Sequence, residues 1–139
     1  MQIFNTMTRQ KEEFVPQTPG EYRIYVCGPT VYNYIHMGNA RPLVVFDTLR
    51  RYLEYRGSKV IFVSNITDID DKLITRAKEE GVSMAEVARR YTEEYLKDSD
   101  GLNVKRPTVQ PRATDHIQEI LGIVADLVAS GHAYVARNG

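Results

Sequence analysis

The spacing of apolar residues in the first half of the chain predicts a strand, a helix and a second strand. Residues 21–27 read Glu-Tyr-Arg-Ile-Tyr-Val-Cys, a β-branched and aromatic run that stops at Gly28-Pro29, as a strand ending in a turn does. From Asn39 onward, apolar residues recur every three or four positions until Gly57, which indicates a helix with a C-terminal glycine. Residues 59–65 are nearly all apolar in their middle, which is typical of a strand in a parallel sheet. A strand, helix and strand in this order predict an α/β fold built on a right-handed βαβ unit.

The residues after the second strand predict two further helices. An aspartate-rich segment over 67–72 leads into a helix that ends at Gly81, because acidic residues favour helix N-termini and glycine favours C-terminal caps. Ser83 and Glu86 have the spacing of a capping box for the next helix. That helix carries one apolar face, which we expect to lie in the core. The face consists of Met84, Val87, Ala88, Tyr91 and Tyr95.

The last forty residues predict a loop, a strongly amphipathic helix and a new strand. Residues 101–111 contain two prolines and predict a loop. Residues 113–130 carry apolar residues on one helical stripe and are followed by Gly131. Residues 132–136 then predict a strand that leads into Asn138-Gly139, a turn pair typical of hairpins. We therefore expect the natural protein to continue beyond this point.

Composition narrows the class of protein without identifying its chemistry. The chain has 139 residues, with 18 lysines and arginines against 18 aspartates and glutamates, and 42% of its residues are hydrophobic. These values exclude a disordered or collagen-like chain and argue against a strongly basic nucleic-acid-coating protein. Cys27 is the single cysteine, so the chain cannot form an internal disulfide. Because no signal peptide and no apolar run of about 20 residues is present, we expect a cytoplasmic protein without a membrane partner.

The chemically richest segment lies between the first strand and the first helix, over residues 27–42. Ligands of parallel α/β sheets bind at the carboxyl ends of strands, and helix N-termini offer unpaired N–H groups to anions. His36 and Asn39 bracket Gly38, so that two side-chain donors can face one phosphate-sized ligand. Taken alone, Cys27 is favoured as a buried thiol and His36 as an ordinary loop histidine, but the place of His36 next to glycine at a helix start favours a ligand-binding role.

Two charged groups permit competing interpretations. Asp68, Asp70 and Asp71 could form a magnesium cluster, although helix capping explains them as well and is favoured. The basic residues of 50–59 could meet nucleic-acid phosphates, although a solvated helix face is favoured. The remaining histidines, His116 and His132, are expected to be structural or exposed.

Linked sequence blocks resemble the cysteinyl-tRNA synthetase family of class I aminoacyl-tRNA synthetases. The block His36-Met37-Gly38-Asn39 is similar to the His-Ile-Gly-His signature of class I enzymes. Its flanks, the blocks over 65–72 and 111–117, and Gly131-His-Ala-Tyr134 are similar to the cysteinyl enzymes in particular. The resemblance extends from Ile3 to the last residue.

This resemblance implies a fold, an activity and a set of site residues. It implies the first half of a Rossmann-like parallel sheet with flanking amphipathic helices, with residues 1–131 as the N-terminal half of the nucleotide-binding catalytic domain. Residues 132–139 would begin an inserted connective segment. The implied activity is ATP-dependent formation of cysteinyl adenylate and transfer of cysteine to its tRNA by a monomeric full-length enzyme, with this chain alone inactive. Family members use zinc to bind the substrate thiolate and ATP with magnesium.

The resemblance assigns roles to individual positions. Catalysis is assigned to His36 and Asn39, and ATP binding to the same two residues and Gly38. Gly28, Thr30 and Thr67 would line the amino-acid site, and Cys27 would be the first zinc ligand. The sequence departs from the class signature at Asn39, where histidine is usual, and asparagine keeps a donor without a charge. 

Two alternatives to this function remain open. The chain could be a non-catalytic nucleotide-binding or interaction module. It could also belong to a related cysteine ligase that uses an amino sugar as acceptor, although the Gly28-Pro-Thr-Val-Tyr block favours the tRNA enzyme.

Overall fold

A parallel βαβ unit forms the centre of the fold, as the sequence predicts. The computed structural model describes residues 1–137. Strand β3 (Glu21–Tyr25) pairs in parallel with β4 (Lys59–Val63), and helix α1 (Met37–Tyr55) connects them. The pairing starts with Glu21 opposite Lys59 and ends with Tyr25 opposite Val63. The α/β class with a parallel sheet is therefore confirmed.

A third parallel segment lies beside β4, where the sequence predicts only a loop. Isolated bridges join Val63 to Val109 and Ile66 to Arg112 in parallel. The N–H groups of Ser64 and Ile66 donate to carbonyl oxygens of residues 109 and 111. Pairing of this kind depends on a distant strand, so the prolines of the segment hide it from local sequence patterns.

An antiparallel hairpin precedes the βαβ unit and was not predicted. Strand β1 (Gln2–Asn5) pairs with β2 (Gln10–Glu13), with Gln2 opposite Glu13. Each strand has only four residues and β2 is polar throughout, which leaves little alternation for a pattern to detect.

Helices α2 (Asp71–Glu80) and α3 (Met84–Gly101) confirm the predicted pair, and both ends of α2 behave as expected. Gly81 closes α2 in the left-handed conformation, at a φ of 67°. The Ser83 hydroxyl accepts the N–H of Glu86, but the Glu86 carboxylate pairs with Arg89 and does not complete a capping box. The predicted face of α3 enters the core, where Val87, Ala88, Tyr91 and Tyr95 are all buried.

The C-terminal part of the described chain contains a short 3₁₀ helix (Ala113–His116) and helix α4 (Ile117–Ala129). Most of the apolar stripe of α4 is exposed within residues 1–137. The strand predicted over 132–136 is wrong, because this segment forms no strand. Its first two N–H groups instead donate to the carbonyl of Leu127, which caps the helix. The predicted Asn138-Gly139 turn lies outside the described residues, and the domain division at residue 131 stays a prediction.

Over residues 1–137, no helix combines the length and the apolar character that crossing a membrane requires.

Candidate functional site

The strand pairing continues past the ends of β3 and β4 and brings two predicted substrate residues together. Thr30 and Thr67 form a parallel bridge. The N–H of Thr67 donates to the carbonyl of Pro29 at 3.0 Å, and the N–H of Val31 donates to the carbonyl of Thr67 at 3.2 Å. These bonds join the two loops into one rigid edge.

The apolar neighbours of the two threonines anchor this edge in the core. Val31 is 1% exposed and Ile66 is 3% exposed, and both belong to the cluster that includes Leu73 and Val87. Extended chain turns successive side chains to opposite sides. Burial of Val31 and Ile66 therefore leaves Thr30 and Thr67 half-buried beside the core.

Gly28 packs directly against the main chain of Asn65. A Cβ built on Gly28 would lie 1.6 Å from the carbonyl oxygen of Asn65, far inside contact distance. The N–H of Gly28 also donates to Oδ1 of Asn65 at 2.8 Å. Only glycine fits at position 28.

Asn65 is a site residue that sequence reasoning did not assign. Its Oδ1 also accepts the Tyr25 hydroxyl at 3.0 Å, and its Nδ2 donates to Oγ1 of Thr67 at 3.1 Å. The partners lie 2 to 40 positions away in the chain. Its position directly after β4 was the available sequence signal, because polar residues at the carboxyl ends of parallel strands commonly serve ligand sites.

His36 and Asn39 cap the N-terminus of α1 reciprocally. Nδ1 of His36 accepts the N–H of Gly38 at 3.0 Å, and Oδ1 of Asn39 accepts the N–H of His36 at 3.2 Å. A Cβ on Gly38 would lie 2.7 Å from Cε1 of His36, so glycine permits the ring to approach the helix. The helix begins at Met37, close to the predicted start at Gly38 or Asn39.

This reciprocal cap fixes the chemistry that both side chains offer outward. A backbone N–H can only donate, so Nδ1 of His36 is the acceptor in the cap, and Nε2 is the ring nitrogen left to donate a hydrogen outward. In Asn39, Oδ1 accepts the N–H of His36, so the amide nitrogen Nδ2 points away from that hydrogen bond. Both residues are exposed, and each keeps a donor for a ligand at the helix N-terminus, where the helix dipole favours anions.

Cys27 is an exposed free thiol next to Tyr25. Its Sγ lies 3.7 Å from the carbonyl oxygen of Gly28. Desolvation raises the pKa of the Tyr25 phenol, and the electrostatic effect of the adjacent Cys27 side chain and a hydrogen bond with it add to that increase. The sulfur is thus open to a ligand and not buried as a small apolar group.

The described residues do not by themselves fit a zinc site. Within residues 1–137, no three histidine, cysteine, aspartate or glutamate side chains gather as metal ligands would. Zinc in proteins takes three or four such ligands, and Cys27 supplies one.

A cleft of about 130 Å³ lies between α1, α3 and the sheet. Its lining includes four of the predicted residues, namely Cys27, Gly28, Gly38 and Asn39. The predicted residues His36, Thr30 and Thr67 lie outside that lining. The structure thus brings the strand-end loop and the start of α1 to one opening.

The acidic cluster after β4 serves structural purposes. Asp70 caps α2 by accepting the N–H of Lys72 at 2.9 Å, as the favoured interpretation predicts. Asp68 is buried and accepts both the N–H of Thr114 at 3.0 Å and its hydroxyl at 2.6 Å. Asp68 joins the loop after β4 to the 3₁₀ helix and does not cap α2.

The basic run on α1 differs from the predicted solvated face. Arg50 donates to the carbonyl of Arg106 at 2.7 Å, and Arg51 donates to the carbonyl of Asn103 at 2.6 Å. Arg51 also pairs with the buried Asp47 at 2.6 Å. These arginines connect α1 to the residues that precede the third parallel segment.

Comparison with known proteins identifies relatives over almost the whole chain. The family described as "tRNA synthetases class I (C) catalytic domain" matches residues 13–139. The chain is 59% identical to a cysteine–tRNA ligase of Clostridioides difficile (strain 630) over all of its length and 30% of that protein. It is 60% identical to a cysteine–tRNA ligase of Moorella thermoacetica over 98% of its length and 29% of that protein.

The chain therefore spans about 30% of the length of the curated relatives it matches. The family match covers far more than half of the chain, and the parallel βαβ unit has the Rossmann-like form that such a catalytic domain requires. This chain belongs to the family of class I (C) tRNA synthetase catalytic domains.

Proposed function

We propose that this chain is the N-terminal part of the catalytic domain of an enzyme that activates cysteine with ATP and transfers it to cysteine tRNA. The observation that carries the proposal is the reciprocal cap of His36 and Asn39 beside the Gly28 loop. A phosphate-binding helix start and a strand-end loop share one opening there. The identity to cysteine–tRNA ligases supports the amino acid and the acceptor.

The ATP phosphates would bind at the N-terminus of α1. The outward Nε2–H of His36 and the Nδ2 of Asn39 supply donors at the start of the helix. As the amino-acid carboxylate attacks the α-phosphorus, the bond from that phosphorus to the bridging oxygen breaks and pyrophosphate leaves, so negative charge grows on the phosphate oxygens. Fixed donors stabilise that charge in the transition state with no covalent step by the protein.

The amino acid would bind at the edge built from Gly28, Thr30 and Thr67. The bridge between the two threonines and the contact of Gly28 with Asn65 hold these positions. A rigid edge positions the substrate carboxylate for attack, which lowers the entropic cost of the reaction.

Zinc and magnesium enter this proposal as cofactors of the full-length enzyme. Cys27 would contribute one thiolate ligand, and the other ligands would come from parts of the protein that this chain does not span. The metal would supply a preference for sulfur, which distinguishes the thiol of cysteine from the hydroxyl of serine. Magnesium would accompany ATP as its phosphate counter-ion.

The test is cysteine-dependent exchange of pyrophosphate into ATP by the full-length protein, followed by transfer of labelled cysteine to tRNA. We expect exchange with cysteine at least a hundred times faster than with serine. A folded, zinc-loaded protein that shows no exchange would contradict the proposal. Exchange followed by transfer to an amino sugar and not to tRNA would retain the activation step and replace the acceptor.

A further inference from the structure

Asn65 joins two residues of the proposed amino-acid site, Gly28 and Thr67, to the neighbouring Tyr25 through one side-chain amide. Its Oδ1 accepts the N–H of Gly28 at 2.8 Å and the hydroxyl of Tyr25 at 3.0 Å. Its Nδ2 donates to Oγ1 of Thr67 at 3.1 Å. Asn65 itself is half-buried behind these groups, so it contacts the site residues from behind.

The direction of each hydrogen bond follows from Gly28. A backbone N–H can only donate, so the oxygen of the Asn65 amide must face Gly28 and the nitrogen must face Thr67. The Thr67 hydroxyl therefore accepts a hydrogen bond from Asn65. Its own hydrogen remains to donate elsewhere, since a hydroxyl has one hydrogen and two lone pairs.

We propose that Asn65 is a positioning residue that presents the Thr67 hydroxyl to the substrate as a hydrogen-bond donor. This inference rests on the proposed function and specifies how its amino-acid site is organised. A donor at Thr67 suits an anionic group, the carboxylate of the amino acid, and a reversed hydroxyl would present lone pairs to it. The same amide holds Gly28 in place, so two of the three residues of the proposed amino-acid site depend on one side chain.

The test uses Asn65→Asp in the full-length enzyme. Aspartate keeps the shape and still accepts from Gly28 and Tyr25, but it also accepts from Thr67 and so turns that hydroxyl away from the substrate. We expect the KM for cysteine in pyrophosphate exchange to rise roughly ten- to hundred-fold, the range for one hydrogen bond to a charged group. The KM for ATP should change less than about twofold, because the α1 cap lies elsewhere.

Tyr25→Phe is the matched control. It removes one bond to Oδ1 of Asn65 and leaves the bond from Nδ2 to Thr67 intact. We expect its KM for cysteine to stay within about threefold of the wild type. An equal rise in both variants would overturn the inference, because a structural role alone then explains Asn65.

The double variant Asn65→Asp with Thr67→Val separates hydroxyl orientation from added charge. Without the hydroxyl, the aspartate has nothing to reorient, and we expect no further rise in KM beyond that of Thr67→Val. Additive effects would overturn the inference, because charge repulsion would then act independently of Thr67. An unchanged KM in Asn65→Asp, in an enzyme whose wild type exchanges pyrophosphate, overturns this inference alone. Absence of exchange in the wild type overturns the proposed function and this inference with it.

Discussion

His36 and Asn39 cap the first turn of α1 in opposite directions, with Nδ1 of His36 accepting from Gly38 and Oδ1 of Asn39 accepting from His36. Each side chain uses its acceptor on the helix and keeps its donor for a ligand. The helix cap and the proposed phosphate site are therefore the same pair of residues. Substitutions that keep the capping acceptor but remove the outward donor therefore separate the contribution of these residues to stability from their contribution to activity.

His36→Asn should retain the cap and lose the imidazole Nε2 donor, because the shorter asparagine amide does not extend as far as Nε2. Asparagine is among the best N-cap residues, so the melting temperature of this full-length variant should match that of the wild type. His36→Ala should instead lower the free energy of unfolding by about 1 kcal/mol. Both variants should lower the rate of pyrophosphate exchange by roughly a hundred-fold, since both lack the Nε2 donor. Calorimetry and exchange kinetics test this pair. Wild-type exchange in His36→Asn would show that the imidazole acts only as a cap.

Gly28→Ala should destabilise the loop after β3. The added Cβ would lie 1.6 Å from the Asn65 carbonyl oxygen, and main chain must move to make room. We expect a loss of stability of about 1–3 kcal/mol and a raised KM for cysteine. Gly101→Ala is the control, because no atom lies within 4 Å of its Cβ position, and alanine favours the helix. Thermal melting of both variants decides the matter, and equal melting temperatures would contradict the steric argument.

Cys27→Ser should reduce zinc binding by the full-length protein without loss of fold. Cys27 is exposed, so its replacement removes no core packing, while serine is a poor zinc ligand. We expect the zinc content by atomic absorption to fall well below one per chain and the KM for cysteine to rise. Full zinc occupancy in this variant would remove Cys27 from the proposed ligand set.

Lys105→Met should reduce the loss of folding stability at acid pH that Glu54 contributes. The hydrogen bond from Lys105 is the main cause that lowers the pKa of Glu54 below its usual 4.5, and Arg50 adds to it. A lowered folded-state pKa stabilises the protein above pH 4.5, and that stabilisation is lost as the pH falls through the folded pKa. The difference in melting temperature between wild type and variant should therefore narrow as the pH falls below about 4.5. Lys97→Met, on an exposed side chain, is the control and should show no such narrowing.

The features that sequence alone predicts are those set by neighbouring residues. The strand–helix–strand order, the left-handed Gly81 and the Ser83 cap follow from local spacing. The core positions of Tyr91 and Tyr95 follow from helical period.

The features that sequence does not predict depend on distant partners. The segment over 108–112 pairs with β4 although its own residues favour a loop. Arg50 and Arg51 look like surface charges until the loop over 103–106 packs on them. Asn65 gains its role only when Gly28 and Tyr25 reach it across the sheet.

The long reach of Asn65 has a consequence for the order of folding. Its bonds to Gly28 and Tyr25 span 37 and 40 positions of chain. Closing a loop of that length loses backbone entropy before any contact compensates for it. The arrangement of Gly28, Tyr25 and Asn65 therefore cannot form from the first strand and helix alone. The proposed amino-acid site therefore takes shape only after the second strand has docked, so ligand binding at that site would report on completion of the sheet.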